Sequence, residues 1–252
     1  MKVITFSLLV LSLFFKSYAG TIKLNDNDWP RFFFGGISEQ KVSKGIGKEI
    51  LDICLPRTGY QFEFTFHPIK RMRKYMEEGK LDINVYSYRP SRESFLLFGK
   101  EPIFSASYRP VVLSGSNVKI NSIDDFEAYN LGHLLGLRYS PEFYDYVMRR
   151  QQDNRLATTT RSSYIIDMLV DKKIDVFVGI SASSLWHAKN AGIADKIRIL
   201  NFDVKTSDYF VTISKKSAVI KDKPLFLSQV DTCLRELKQN GQYKQITDKY
   251  RF

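Results

Sequence analysis

Two stretches of this chain repeat one pattern of apolar and polar positions. In the first, β-branched and aromatic residues from Phe62 to Phe66 precede an amphipathic run, Arg71 to Gly79, and then a second apolar run, Asp82 to Tyr86. The order returns as Arg155 to Thr159, Ser163 to Lys172 and Ile174 to Gly179. Each reads as strand, helix, strand with short connections, the mark of mainly parallel α/β sheets. In the second helix Ile165, Ile166, Leu169 and Val170 share a face that Asp167, Asp171 and Lys172 avoid, and Met72, Tyr75 and Met76 form the same stripe in the first. Both stripes read as core. Leu225 to Gly241 predicts a long amphipathic helix through Leu227, Val230, Leu234 and Leu237, closed by Asn240-Gly241 as a C-cap. No solenoid-length repeat and no low-complexity linker interrupts the series.

Ahead of these elements, Lys2 precedes a largely apolar run from Val3 to Phe15, and Ser17-Tyr18-Ala19 before Gly20 has the small-x-small form of a cleavage site. The run is 13 residues, short of the roughly 20 a spanning helix needs. Residues 1–19 are therefore read as a secretory signal, and the mature chain as soluble and exported. Gly20, where a lipoprotein would carry cysteine, argues against a lipid anchor.

Losing residues 1–19 removes Lys2 and Lys16 and no acid, so the formal charge of +11 becomes +9 on the remaining 233 residues. Such a balance favours anionic partners. Nucleic acid is not expected among them: the local clusters, Lys70-Arg71-Arg73-Lys74 and Arg149-Arg150, sit inside amphipathic helical patterns and lack interleaved aromatics. Cys54 and Cys233 are the only cysteines. In an oxidising compartment they can pair; the alternative is two small buried apolar side chains.

Enzyme motifs are largely missing. His67, His133 and His187 stand apart, with no spacing that assembles a metal site locally, so neither metal nor cofactor is expected. Gly179-Ile180-Ser181-Ala182-Ser183 lacks the second glycine of a nucleophile elbow. Gly45-Ile46-Gly47 lacks the rest of a dinucleotide or phosphate loop and reads as a loop opening a helix from Lys48 to Leu55.

One series of short motifs does stand out. Trp29-Pro30 leads into Phe32-Phe33-Phe34-Gly35-Gly36, then Glu49-Ile50-Leu51-Asp52-Ile53, Pro68-Ile69-Lys70-Arg71-Met72, Glu78-Gly79-Lys80-Leu81-Asp82-Ile83 and Ser87-Tyr88-Arg89-Pro90-Ser91-Arg92. Asp171-Lys172-Lys173-Ile174-Asp175 and Gly241-Gln242-Tyr243 continue it to the end of the chain. In the order and spacing of these pieces the sequence resembles the family 3 periplasmic solute-binding proteins, which include polar amino-acid receptors of ABC importers. The resemblance implies a two-lobed α/β fold joined by two hinge strands with the ligand in the cleft, residues 20–105 and 208–252 forming the first lobe and 106–207 the second. Both cysteines then fall in the first lobe.

By the same resemblance Arg92 matches the arginine that grips a ligand carboxylate, a task suited to two parallel, permanently charged donors, and Ser87 matches a contact five residues earlier. Arg71 is similar to an arginine the family carries at the start of its helix, with a solvated helix face as the alternative. Trp29 is either a wall for the ligand or lobe core. In the second lobe, Arg138-Tyr139 occupies the place of a cationic anchor without its glycine-rich turn. Ser181 lies beside Ile180, where amino-acid binders carry an aspartate for the ammonium group. No carboxylate stands there, and an unpaired buried ammonium is costly. With Arg92, Arg138 and Arg71 converging, the cleft would be net positive, so the expected ligand is small and anionic or strongly polar, without a free α-amine. The expected partner is an inner-membrane ABC permease or sensor, and the protein is expected to be a monomer. Two other readings remain: an enzyme on this fold, with Glu39, His67 or Glu101 as loose acid–base candidates, and a basic protein that binds lipid or cell-wall polymer through its surface.

Overall fold

The computed structural model describes residues 20–35 and 45–250; the expected leader, residues 1–19, and Glu39 lie outside them. The first part of the chain runs β1 (Thr21–Asn25), a small hairpin of β2 (Asp28–Trp29) and β3 (Phe33–Phe34), α1 (Ile46–Cys54), β4 (Gln61–Thr65), α2 (Ile69–Glu78) and β5 (Ile83–Ser87). The long strand β6 (Leu96–Leu113) then leads to β7 (Leu131–Leu134), α3 (Pro141–Gln152), β8 (Leu156–Thr159), α4 (Ser162–Val170), β9 (Val176–Ile180), α5 (Ser181–Asn190) and β10 (Ile197–Ile199). Finally β11 (Lys205–Ser214) returns to α6 (Lys223–Gln239) and α7 (Gln242–Asp248).

The main sheet has the order β4-β1-β5-β11-β6-β9-β7-β8, with β10 also on β6. Its two flanks, β4-β1-β5 and β8-β7-β9, are each parallel, as expected for strand–helix–strand units. The centre is antiparallel: β11 lies between β5 and β6, while the far end of β6 pairs β9 and β10. The register shows the division of labour, since β6 pairs β11 from Leu96 to Tyr108 and β9 from Tyr108 to Val112. Two long strands thus carry the chain between a first lobe built on β1, β4 and β5 and a second built on β7, β8 and β9.

Both helical stripes are core. Met72 and Met76 are buried with Leu81, Tyr86, Phe95 and Leu96, and Ile165, Ile166 and Leu169 with Val111, Ile174, Phe177, Ala188 and Ile197. Each such side chain adds roughly 1.5–3 kcal/mol of transfer free energy. The first helix begins earlier than its sequence suggests. Gly45, at φ 113°, is its N-cap, and Gly47 lies inside it, where an added Cβ would stand 2.4 Å from the Phe33 ring. This glycine serves close packing, and the helix opens on the preceding one. The Arg149-Arg150 pair also divides: Arg149 is exposed, while buried Arg150 donates to the Phe126 carbonyl at 3.0 Å, the Tyr146 hydroxyl at 2.9 Å and the Tyr129 carbonyl at 2.7 Å. No helix of the described residues is long and apolar enough to cross a membrane.

Cys54 and Cys233 form a disulfide, with Cα atoms 5.6 Å apart, joining the end of α1 to the middle of α6. It closes a loop of 179 residues, and on the chain-entropy account a loop of this length contributes up to about 5 kcal/mol. The Cys54→Ala, Cys233→Ala double variant is expected to unfold on the order of 10 °C lower by calorimetry. An unchanged midpoint would show that the bridge adds no stability.

Candidate functional site

The site begins where β5 ends. Proline lacks an N–H for the ladder and holds the preceding residue extended, and Arg89 before Pro90 has φ −152° and ψ 136°. A short 3₁₀ turn, Pro90–Arg92, follows and folds the chain back on the strand it has left. The Arg92 guanidinium thereby returns to Ser87, donating to its carbonyl at 2.5 Å and its hydroxyl at 3.0 Å, and it lies 4.9 Å from the centre of the Tyr86 ring. These groups sit at the carboxyl edge of the parallel strands, where open α/β sheets take their ligands.

Two further cations join Arg92. Arg89 reaches the second lobe, donating to the Arg138 carbonyl at 2.7 Å and to the Tyr139 carbonyl. Lys205, the first residue of β11, donates to the Ser87 hydroxyl at 3.4 Å, so one buried serine oxygen serves both Arg92 and Lys205. Burial and the neighbouring Arg89 lower the Arg92 pKa to about 10. Burial, then Arg89 and Arg92, lower the Lys205 ammonium to about 8. Arg89 is pulled down by burial and by Arg138. Among the described residues none of these three cations forms a salt bridge.

Tyrosines line the same region. The Tyr108 and Tyr209 hydroxyls meet at 3.1 Å, Tyr209 pairs Ser87 across the ladder, and burial raises the pKa of both rings. Trp29 stands beside Tyr209, with centroids 4.6 Å apart, and against Phe104 at 5.2 Å. It is half-buried, and its Nε1 has no hydrogen-bond partner among the described residues. Ser181 opens α5 directly after β9, and its Oγ is likewise buried without a partner. Two residues on, the Ser183 hydroxyl donates to the Pro30 carbonyl at 2.7 Å. Phe34 packs edge-on against Trp186 at 5.1 Å, another contact from one lobe to the other.

The residues singled out from sequence are thus distributed unevenly. Arg92, Ser87 and Trp29 converge on one region, with Ser181 at the facing helix start. Tyr139 turns its ring into the second-lobe core, where its hydroxyl meets His133 Nδ1 at 3.0 Å, and it offers the cleft only its carbonyl. Arg138 is exposed, with its guanidinium 5.3 Å from the Tyr144 ring. Arg71 is exposed on the first turn of α2. Glu101 pairs with Lys238 at 2.5 Å, and His67 packs on Tyr75, so neither joins the cation cluster. Among the described residues no three His, Cys, Asp or Glu side chains gather as metal ligands. Sequence reading passed over Arg89 and Lys205. Arg89 had a local signal, one 3₁₀ turn before Arg92, whereas Lys205 lies 118 residues from Ser87 and had none.

Lys205 should leave a mark on stability. An unfolded lysine keeps its proton to about pH 10.4, but the folded chain releases it near pH 8. Between these values the unfolded state binds more protons, so stability rises with pH. Lys205→Met is expected to be more stable than the parent below pH 8, by a margin that shrinks from pH 8 to 10 in urea unfolding of ligand-free protein. A margin independent of pH would contradict the burial of this charge.

The fold and the motifs have recognisable relatives. The profile of the bacterial extracellular solute-binding proteins, family 3, matches residues 24–252. No curated protein matches the chain significantly. Among solved structures, a mutant of ArgBP from T. maritima is 17% identical, over 91% of this chain and 94% of that one, with a TM-score of 0.74. An ancestral arginine-binding protein bound to arginine is 20% identical, over 94% and 100% of the two chains, with a TM-score of 0.74. A histidine kinase sensor domain with similarity to periplasmic binding proteins is 16% identical, over 91% and 95%, also with a TM-score of 0.74. At these identities the structures establish the two-lobed fold, and the profile, spanning nearly all of the chain, establishes the lineage: the protein belongs to the bacterial extracellular solute-binding proteins, family 3.

Proposed function

We propose that this protein is a periplasmic receptor that closes its two lobes around a small anionic solute and passes it unaltered to an ABC importer or a sensor. One observation carries the reading: Arg92, Arg89 and Lys205 crowd the carboxyl edge of the first-lobe sheet without a salt-bridge partner among the described residues. Charge buried without compensation is costly, and an anion arriving between the lobes supplies what the protein lacks. Arg92 and Ser87 then hold a carboxylate, and the unsatisfied Trp29 Nε1 and Ser181 Oγ are donors for its remaining oxygens.

The similar structures include arginine-binding proteins, but the ligand does not transfer with the scaffold. A cationic side chain would enter an already cationic cleft, and the Ile180-Ser181 position lacks an acid for an ammonium. For motion, we take residues 20–105 and 208–252 as one lobe and 106–207 as the other. The change of partner along β6 at Tyr108 supports that boundary. Arg89, Ser183 and Phe34 make the contacts that would break on opening. The acid–base candidates of the enzyme reading are dispersed or outside the described residues.

Thermal unfolding against carboxylates, sugar acids, amino acids and polyamines tests the reading. At a hundredfold excess over Kd the right ligand adds about 2.7 kcal/mol, several degrees at this size. The ligand should be recovered unchanged by mass spectrometry, and Arg92→Gln should weaken binding at least about 30-fold. Undiminished binding by that variant, or a chemically altered ligand, would rule the proposal out.

A further inference from the structure

The number of cations at the site goes further than their sign. A single carboxylate held by Arg92 and Ser87 balances one positive charge. Arg89 spreads its donors over the carbonyls of Arg138 and Tyr139, where it joins the lobes. Lys205 remains, half-buried at the start of a hinge strand, with its ammonium on the Ser87 hydroxyl that Arg92 also uses. An ammonium there has no purpose in gripping the first carboxylate, because two parallel donors of Arg92 suffice. Its cost is plain in its neighbours, which are two guanidiniums and the tyrosine pair of Tyr108 and Tyr209.

We propose that the ligand is a compact dianion, a dicarboxylate or a phosphate monoester, and that Lys205 selects it by taking the second negative charge. The inference rests on the receptor reading and adds the ligand's charge and the residue that reads it. It also follows from the opposite lobe, where the Ile180-Ser181 position carries a hydroxyl and the start of α5 in place of an acid. A helix start favours negative charge and disfavours an ammonium, so the second lobe reinforces the preference without duplicating Lys205.

The test is calorimetric titration and thermal shift of the mature, disulfide-bonded protein. The probes are succinate and glutarate, the equally long monoanions butyrate and valerate, the amine-bearing aspartate and glutamate, and glycerol 3-phosphate. At least one dianion should raise the midpoint by several degrees and bind at least about 30-fold more tightly than its monoanion. A preference for glycerol 3-phosphate identifies the phosphorylated source, and one for succinate or glutarate the dicarboxylate. Lys205→Met should erase the preference, costing the dianion at least about tenfold more affinity than it costs the monoanion, while Lys205→Arg should restore most of it. Equal binding of dianion and monoanion, or an equal loss of both in Lys205→Met, overturns the proposal. Tightest binding of aspartate or glutamate, lost in Arg92→Gln, leaves the receptor reading intact and sinks this one. No shift with any acid sinks both.

Discussion

Everything at the cleft follows from the difficulty of keeping positive charge together out of water. Arg92, Arg89 and Lys205 reach the site from a 3₁₀ turn and a strand start, and burial draws down the pKa of each, with Arg138 acting on Arg89, Arg89 on Arg92, and both Arg89 and Arg92 on Lys205. The backbone partly satisfies them, through the Ser87, Arg138 and Tyr139 carbonyls. Carbonyl dipoles solvate a cation without cancelling its charge, so the folded chain keeps an electrostatic strain that the proposed anion would relieve. That strain is a source of differential affinity between ligand-bound and ligand-free states, the quantity on which any ligand-driven change of conformation depends.

The frame is arranged to hold this strain steady. Parallel strands on either flank end at the cleft, so their following loops and helix starts meet there, while β6 and β11 run across the middle as a long antiparallel ladder whose register shifts on either side of Phe210. The disulfide fastens α1 to α6, and α6 is in turn held to β6, where Asp231 accepts the Lys100 N–H at 2.9 Å and the Glu101 N–H at 3.1 Å. Contacts from lobe to lobe include Arg89 to the Arg138 carbonyl, Ser183 to the Pro30 carbonyl and Phe34 edge-on to Trp186.

Much of the fold was legible because periodicity is a local property. The paired strand–helix–strand units, the Met72 and Met76 stripe and the helix through Leu227 to Leu237 all fall where burial of one face demands them. Gly45 and Gly47 were misjudged for a reason of the same kind: the partner that makes Gly47 necessary, the Phe33 ring, is not its neighbour in sequence. At the site, Ser87 and Arg92 were legible because five residues and a proline decide their meeting. Tyr139 was singled out from its position in a motif, yet the hydroxyl of this large ring finds its partner in His133 inside the lobe.

By itself, the sequence determined the α/β class, the two units, the basic balance and the absence of an acid beside Ile180, since each depends on residue type and short spacing. Tertiary structure alone decided that Cys54 meets Cys233, that Arg89 spans the lobes and that Lys205 joins Arg92 at one serine hydroxyl. Those meetings depend on strands that pair across more than a hundred residues, and no local propensity reports on them.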